Sequence, residues 1–235
     1  MQPIVAFDLD GTLVDTAPDL LAALDVVLSA DGLPTLPREL GRGMIGHGAK
    51  AMIARGLRHF GETVTEARLE PMHDRFLAYY CNHIADSSRP FPGAVAALDR
   101  LEAAGVRLVV CTNKLEALSR QLLEALELAP RFAAIVGPDT LGVRKPDPAH
   151  VLGAIELGAG DPARAAMVGD SSLDVTAAQR AGVPVVAVDF GYPEKPVQEL
   201  GADVVIGHYD MLWGAVAPHL GLASSDPAPA GPPCA

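Results

Sequence analysis

Pro3-Ile4-Val5-Ala6-Phe7-Asp8-Leu9-Asp10-Gly11-Thr12 organises the chain around it. Residues 4–7 are a short apolar run, partly β-branched and bounded by Pro3 and Gly11, which predicts a buried strand. Glycine at position 11 permits a sharp exit from that strand. Asp8 and Asp10 then fall at its C-terminal end, the edge at which open α/β sheets bind ligands. Two carboxylates crowded there repel each other unless they share a cation or a proton. A hard divalent cation with oxygen ligands meets that need, and Mg²⁺ suits a site where phosphate is the other ligand. An ordinary polar turn after a strand has the same residues, so the choice rests on residues farther along the chain.

After Thr12, Thr16 with Asp19 three residues later and Pro18 in the first turn predict a helix start. Leu20, Leu24, Val27 and Leu28 continue it at helical spacing to Asp31-Gly32. Two further helical stretches, residues 49–60 and 66–84, are separated by loops that include Gly41-Arg42-Gly43 and Gly46-His47-Gly48. No strand is expected between residues 16 and 87. A strand followed by that much helix departs from simple βα alternation, and residues 16–87 read as an inserted helical domain. Its borders are Asp15-Thr16 and Ser87-Ser88-Arg89-Pro90.

From Pro92-Gly93 the pattern is regular. Helices are expected over residues 94–104, 116–126, 147–157, 172–181 and 211–219, and strands over 107–111, 133–136, 165–168, 183–188 and 203–206. Apolar strands alternating with amphipathic helices predict an α/β fold with a doubly wound, Rossmann-like parallel sheet. The core domain is then residues 1–15 and 88–223. Residues 224–235, rich in Pro, Ala and Gly, are expected to be disordered.

Composition excludes several functions. The 235 residues are 49% hydrophobic but only 5% aromatic, so a large core must rest on Ala, Leu and Val. A formal charge of −11 makes nucleic acid and anionic membrane poor partners, because neither offers counterion release to an acidic protein. Any anion must be held locally by a metal, a lysine or backbone N–H groups. Cys81, Cys111 and Cys234 have no metal-ligand spacing, which fits a reducing cytoplasm. Neither a signal peptide nor a transmembrane run is expected. The scattered histidines suggest no zinc site, Trp213 reads as core or a helix anchor and Cys111 as strand core.

Three later stretches answer the first. Cys111-Thr112-Asn113-Lys114 closes the second core strand, where the Thr112 hydroxyl can hold a phosphoryl oxygen or cap the next helix. In Arg144-Lys145-Pro146-Asp147, the proline biases Lys145 toward an extended conformation, from which it could neutralise a phosphate or a carboxylate. In Gly169-Asp170-Ser171-Ser172-Leu173-Asp174, Asp170 ends a strand and Asp174 lies one helical turn on, on the same side. The pair can complete a cation site with Asp8, although helix capping by Asp170 or Ser171 competes.

Taken in order, these residues resemble the signature motifs of the haloacid dehalogenase superfamily. Asp8 to Thr12 resembles the first, Thr112 the second, Lys145 the third, and Gly169-Asp170 with Asp174 the fourth. Residues 16–87 resemble that superfamily's helical C1-type cap. Within it, residues 12–20, Ile45-Gly46-His47-Gly48-Ala49, Thr112-Asn113-Lys114 and Lys145-Pro146 are most similar to the phosphoglycolate phosphatases. Gly-Asn-Gly is commoner there than Gly46-His47-Gly48.

The resemblance implies a Mg²⁺-dependent phosphomonoester hydrolase acting on a small phosphorylated metabolite, 2-phosphoglycolate. It implies Asp8 as nucleophile, forming an aspartyl-phosphate, and Asp10 as general acid and then base. Mg²⁺ would be held by Asp8, the Asp10 carbonyl and Asp170. Thr112, its neighbour Asn113 and Lys145 would bind the phosphoryl oxygens, with Asp174 orienting Lys145 or a metal-bound water. Gly46, His47 and Lys50 are the candidate cap loop for the substrate's carboxylate. Asp10 disfavours the superfamily's carbon–halogen and carbon–phosphorus chemistries, which do not need this acid. Pyrophosphatase, sugar phosphatase and β-phosphoglucomutase activities stay open, as does a homo-oligomer. A receiver-like phospho-aspartate module, the reading from a different class, fits poorly with a nucleophile on the first strand.

Overall fold

Residues 2–7 form strand β1 (Gln2–Phe7), in which Ile4, Val5, Ala6 and Phe7 have no exposed surface. A strand apolar on both faces belongs inside a parallel sheet covered on both sides. The computed structural model describes residues 1–223. Among them, β1 leads to a short strand, β2 (Val14–Asp15), then helices α1 (Ala17–Ala30), α2 (Arg38–Arg42), α3 (Ala49–His59) and α4 (Glu66–Asn82), and strand β3 (Arg89–Pro90). Next come α5 (Ala94–Ala103), β4 (Arg107–Cys111), α6 (Glu116–Ala125), β5 (Ala134–Val136), α7 (Pro138–Leu141) and α8 (Pro148–Leu157). The chain then forms β6 (Gly160–Gly169), α9 (Ser172–Ala181), β7 (Val185–Val188), β8 (Val204–Ile206) and α10 (Leu212–Val216).

The main sheet has the order β5-β4-β1-β6-β7-β8, and every neighbouring pair is parallel. Strand order therefore reverses at β1, the switch point where doubly wound sheets open a crevice. Alternation along β1 divides the core. Ile4 and Ala6 pack with Val151, Ile155 and Val175 of α8 and α9. Val5 and Phe7 face Leu98, Leu101, Leu212 and Val216 of α5 and α10. That second cluster runs on into the insert, through Leu24, Leu28, Ile53, Leu57, Met72 and Phe76 of α1, α3 and α4.

Several expectations are corrected. The insert is framed by an antiparallel ribbon of β2 and β3, pairing Val14 with Pro90 and Asp15 with Arg89. Two-residue strands carry too little periodicity to be read from sequence. Thr16 stands at the N-cap of α1 without a capping hydrogen bond. Asp19, expected to complete that cap, instead accepts from Ser87 N (3.0 Å), Ser88 N (2.7 Å) and Ser88 Oγ (2.7 Å). Helix α2 was not expected, and β6 begins at Gly160 rather than 165, past an irregularity opposite residues 2–4. The last helix is a 3-10 turn, Tyr209–Met211, followed by the short α10, which stops ahead of Pro218, a residue with no N–H to extend the helical ladder. The expected disordered tail, residues 224–235, lies outside the described residues. No helix among them is long and apolar enough to cross a membrane.

Candidate active site

Register alone assembles the first part of the site. Phe7 lies level with Val110 on one side and Val168 on the other, so the next residues of these strands end at one edge. Asp8 leaves β1 with its N–H bonded to Val168 O (2.9 Å), Thr112 leaves β4, and Asp170 leaves β6. Asp8 continues the parity of Ile4 and Ala6, so its side chain falls on the α8 and α9 side, where Lys145 and Asp174 stand. Close approach requires glycine here. A Cβ on Gly191 would lie 2.4 Å from Gly11 O and 2.5 Å from Asp170 Cβ, and one on Gly11, at φ +82°, would lie 2.3 Å from Asp170 Oδ2.

Asp8, Asp170 and Asp174 are buried, and one oxygen from each lies within 4.8 Å of the others. Lys145, 2% exposed, places Nζ 2.9 Å from Asp8 Oδ1 and 2.6 Å from Asp174 Oδ1, and donates to Cys111 O at 2.7 Å. Asp174 Oδ2 accepts from Ser171 N (3.0 Å) and Oγ (2.6 Å), so that carboxylate is committed on both sides. Asp170 accepts from Tyr192 N (2.6 Å) and Thr12 Oγ1 (3.3 Å). Burial pushes Asp8 up to about 6, opposed by Lys145 and assisted by Asp174. Burial, Asp174 and Asp8 hold Asp170 well above the usual carboxylate range. Burial would lower Lys145, but Asp174 and Asp8 outweigh it and hold the ammonium charged.

With all three carboxylates ionised, one ammonium would leave a double negative charge in a poorly solvated place, and the upward shifts of Asp8 and Asp170 reflect that cost. A divalent cation restores balance, and an all-oxygen donor set without cysteine or histidine suits a hard ion. Asp8 and Asp170 are the carboxylates best able to hold it, because Asp174 is already tied to Lys145 and Ser171.

A second charge pair faces the first. Lys114 Nζ lies 3.0 and 3.3 Å from the two carboxylate oxygens of Asp10 and donates to the Tyr80 hydroxyl of α4 at 2.8 Å. Burial would lower Lys114, while Asp10 and Tyr80 raise it, so it stays charged. The sequence alone assigns Lys114 no role. Its only linear signal is an ammonium two residues after a strand-end threonine, which does not reveal a partner 104 positions away.

Asp8, Asp10, Thr112, Asn113 and Lys114 form the floor of a cavity of roughly 270 Å³, roofed by Gly46, His47, Lys50 and Tyr80 of the insert, with Arg144 on its wall. Ligand pockets commonly measure about 300–1,000 Å³, so this one suits a small metabolite. The structure thus brings the expected floor and roof residues to one space. Lys145 and Asp174 lie behind it, in contact with Asp8. Thr112 Oγ1 accepts from Lys114 N (3.2 Å), and Asn113 clasps the Lys145 main chain through N (3.0 Å) and O (3.2 Å). Lys50 is paired to Glu70 (2.5 Å) and Glu66 (3.2 Å). His47 is half-buried and lowered by that burial and by Arg55 and Arg144, with Glu194 opposing.

Such a site can attack an electrophile with one carboxylate, move a proton with another, and hold an anion between Lys145, Thr112 and a cation. The sequence matches the model of the haloacid dehalogenase-like hydrolases over residues 5–188. It is 46% identical over 226 residues to a phosphoglycolate phosphatase of Caulobacter vibrioides, covering 93% of this chain and 95% of that one. It is 36% identical to an N-acetylmuramic acid 6-phosphate phosphatase of Pseudomonas aeruginosa, covering 87% and 90%. A crystal structure of a predicted phosphoglycolate phosphatase from Haemophilus somnus superposes with a TM-score of 0.83 at 28% identity, covering 90% and 96%.

Proposed function

The chain belongs to the haloacid dehalogenase-like hydrolase family, and from that premise we propose that it hydrolyses 2-phosphoglycolate to glycolate and inorganic phosphate. The observation that carries this reading is the pairing of two differently set carboxylates across one cavity: Asp8 against Lys145, and Asp10 against Lys114.

Asp8 is the nucleophile. Its Oδ1 is sealed beside Lys145, which leaves Oδ2 to attack phosphorus in line. The ester P–O bond breaks as the Asp8–phosphorus bond forms, and Asp10, acting in its protonated form rather than as the ionised partner of Lys114, gives its proton to the leaving alkoxide. Asp10 then takes a proton from water as that water attacks the aspartyl-phosphate, releasing phosphate and restoring Asp8. Lys145 and the Thr112 hydroxyl stabilise charge on the equatorial oxygens, while Asp174 fixes the Lys145 ammonium. Asp8, Asp170 and the Asp10 carbonyl would hold Mg²⁺, which would supply positive charge against which a carboxylate can approach a phosphate dianion. Residues 16–87 act as the cap that keeps bulk water from the acyl phosphate, over a core of residues 1–15 and 88–223.

The resemblance to an N-acetylmuramic acid 6-phosphate phosphatase supports a sugar phosphate as the second reading, and the small cavity favours the first. Initial rates of phosphate release with Mg²⁺ on 2-phosphoglycolate, N-acetylmuramic acid 6-phosphate, pyrophosphate and a hexose 1-phosphate separate them. Phosphoglycolate is expected to lead in kcat/KM by at least tenfold. Asp8→Asn is expected to lower kcat by about 10³-fold or more. Equal turnover of all substrates would reject the substrate, and full activity of Asp8→Asn would reject the mechanism.

A further inference from the structure

The cations of the cavity differ in how their charge is balanced. Lys114 is matched by Asp10, and Lys50 by Glu66 and Glu70. Arg144 lines the same cavity from the core side, exposed, and forms no ion pair among the described residues. It is the cavity's uncompensated guanidinium. Its position is nonetheless firm. Asn113 clasps the next residue, Lys145, through both its main-chain N–H and its carbonyl, and Asp147 N donates to Arg144 O at 2.9 Å. The base of the Arg144 side chain is thereby tied to Asn113, next to Thr112, and to the residue whose ammonium touches Asp8.

Across from it stands the turn of Gly46, His47 and Gly48. The glycines have φ of +96° and +89°, and no atom lies within 4 Å of where a Cβ would sit on either, so this backbone faces open space. His47 and Arg144 line the same cavity. An arginine unpaired in a cavity is a carboxylate receptor by geometry, because its planar fork matches two carboxylate oxygens. Lys50, the other candidate, would have to abandon two glutamates to serve.

Resting on the hydrolase activity proposed above, we infer that Arg144, with His47 facing it, binds the carboxylate of the substrate, and so selects short phosphorylated carboxylic acids over neutral phosphate esters. Arg144 is thus a specificity residue set on the core, one position from the lysine that contacts Asp8, and the insert contributes the opposite wall.

The test compares 2-phosphoglycolate with ethyl phosphate, in which a methyl group replaces the carboxylate, using the full-length protein with Mg²⁺ and the variants Arg144→Ala, Arg144→Lys and Lys50→Ala. Loss of a charged hydrogen-bond pair corresponds to roughly 10–100-fold in affinity. Arg144→Ala is expected to raise KM for phosphoglycolate by that factor. Its kcat/KM ratio between the two substrates should fall at least tenfold, and Arg144→Lys should recover part of it. Retention of the wild-type ratio by Arg144→Ala, or a collapse of that ratio in Lys50→Ala instead, would overturn the assignment while leaving the activity standing. An equal loss on both substrates would also overturn it and make Arg144 a residue of the phosphate site. A wild-type protein with no preference for phosphoglycolate over ethyl phosphate would sink both the assignment and the substrate proposed above.

Discussion

Lys114 joins the floor of the cavity to its roof through one side chain, 3.0 Å from Asp10 and 2.8 Å from the Tyr80 hydroxyl. Removing it leaves a carboxylate and a phenol without their shared partner. Lys114→Met is expected to destabilise the fold by about 2–3 kcal/mol, short of the full cost of orphaning a buried charge because Asp10 keeps some exposure to water. Tyr80→Phe removes only the hydroxyl, at about 1 kcal/mol. Urea denaturation of the two variants gives both numbers, and a larger loss from Tyr80→Phe would contradict the arrangement. His150 makes a different prediction. It has no exposed surface, and burial together with the Lys145 charge pushes it down to about 4. The unfolded chain, with an ordinary histidine, therefore binds the proton first, and stability contributed by neutral His150 is complete above pH ~6.5 and lost as pH falls toward 4. Between pH 7.5 and 5 that loss is about 2 kcal/mol. His150→Gln should lose correspondingly less between the two pH values, read as the difference in denaturation midpoints.

At the scale of elements, the insert is anchored where its two linkers meet. Asp19 of α1 holds Ser87 and Ser88, and β2 pairs with β3 beside them. Tyr192, which reaches Asp170 through its main chain, donates its hydroxyl to Asp15 and accepts from Ala17 N at the start of α1. The proposed cation ligand and the root of the insert therefore share one residue. Asp19→Ala leaves buried Ser88 donors without an acceptor and is expected to cost about 2–3 kcal/mol. Hydrogen exchange at residues 87–90 should rise in that variant before exchange in β1 does. Gly191→Ala should act on the other side of the same junction. The added methyl group has to displace Asp170 or Gly11, so cation affinity should weaken more than the fold. Asp8, Thr112, Lys145 and Asp170 stand out in the linear chain because each follows an apolar run that reads as a buried strand, or precedes a proline-initiated helix. Asp19 reads as a capping residue because its spacing from Thr16 satisfies that pattern equally well. Its true partners, 68 and 69 positions away, leave no local trace.

For the whole molecule, the excess carboxylate of the sheet edge is a standing cost of the fold in the absence of a cation. Binding that favours the folded state stabilises it by RT ln(1 + [L]/Kd), so Mg²⁺ at a hundredfold excess over Kd should add about 2.7 kcal/mol. For a chain of this length that is roughly 5–10 °C in Tm. Asp170→Asn, with one carboxylate fewer, is expected to show little of the gain and to be no less stable than the parent in chelator. A Tm insensitive to Mg²⁺ in the parent would mean that the cluster is not a cation site.

The sequence by itself determined the α/β class, the parallel doubly wound sheet, the run of helices that follows the first strand, and the position of carboxylates at strand ends. Those features follow from short-range rules: side-chain periods of two and 3.6, and turn chemistry at strand ends. The tertiary structure alone decided which charges neutralise which. It paired Lys114 with Asp10 and Lys50 with Glu66 and Glu70, closed Asp19 on Ser88, and left Arg144 without an ion pair among the described residues. Ion pairs are set by distance in space, and at a sheet edge that distance comes from strand register and from the seating of the insert. Coulomb attraction has no sequence period through which such pairs could be read in advance.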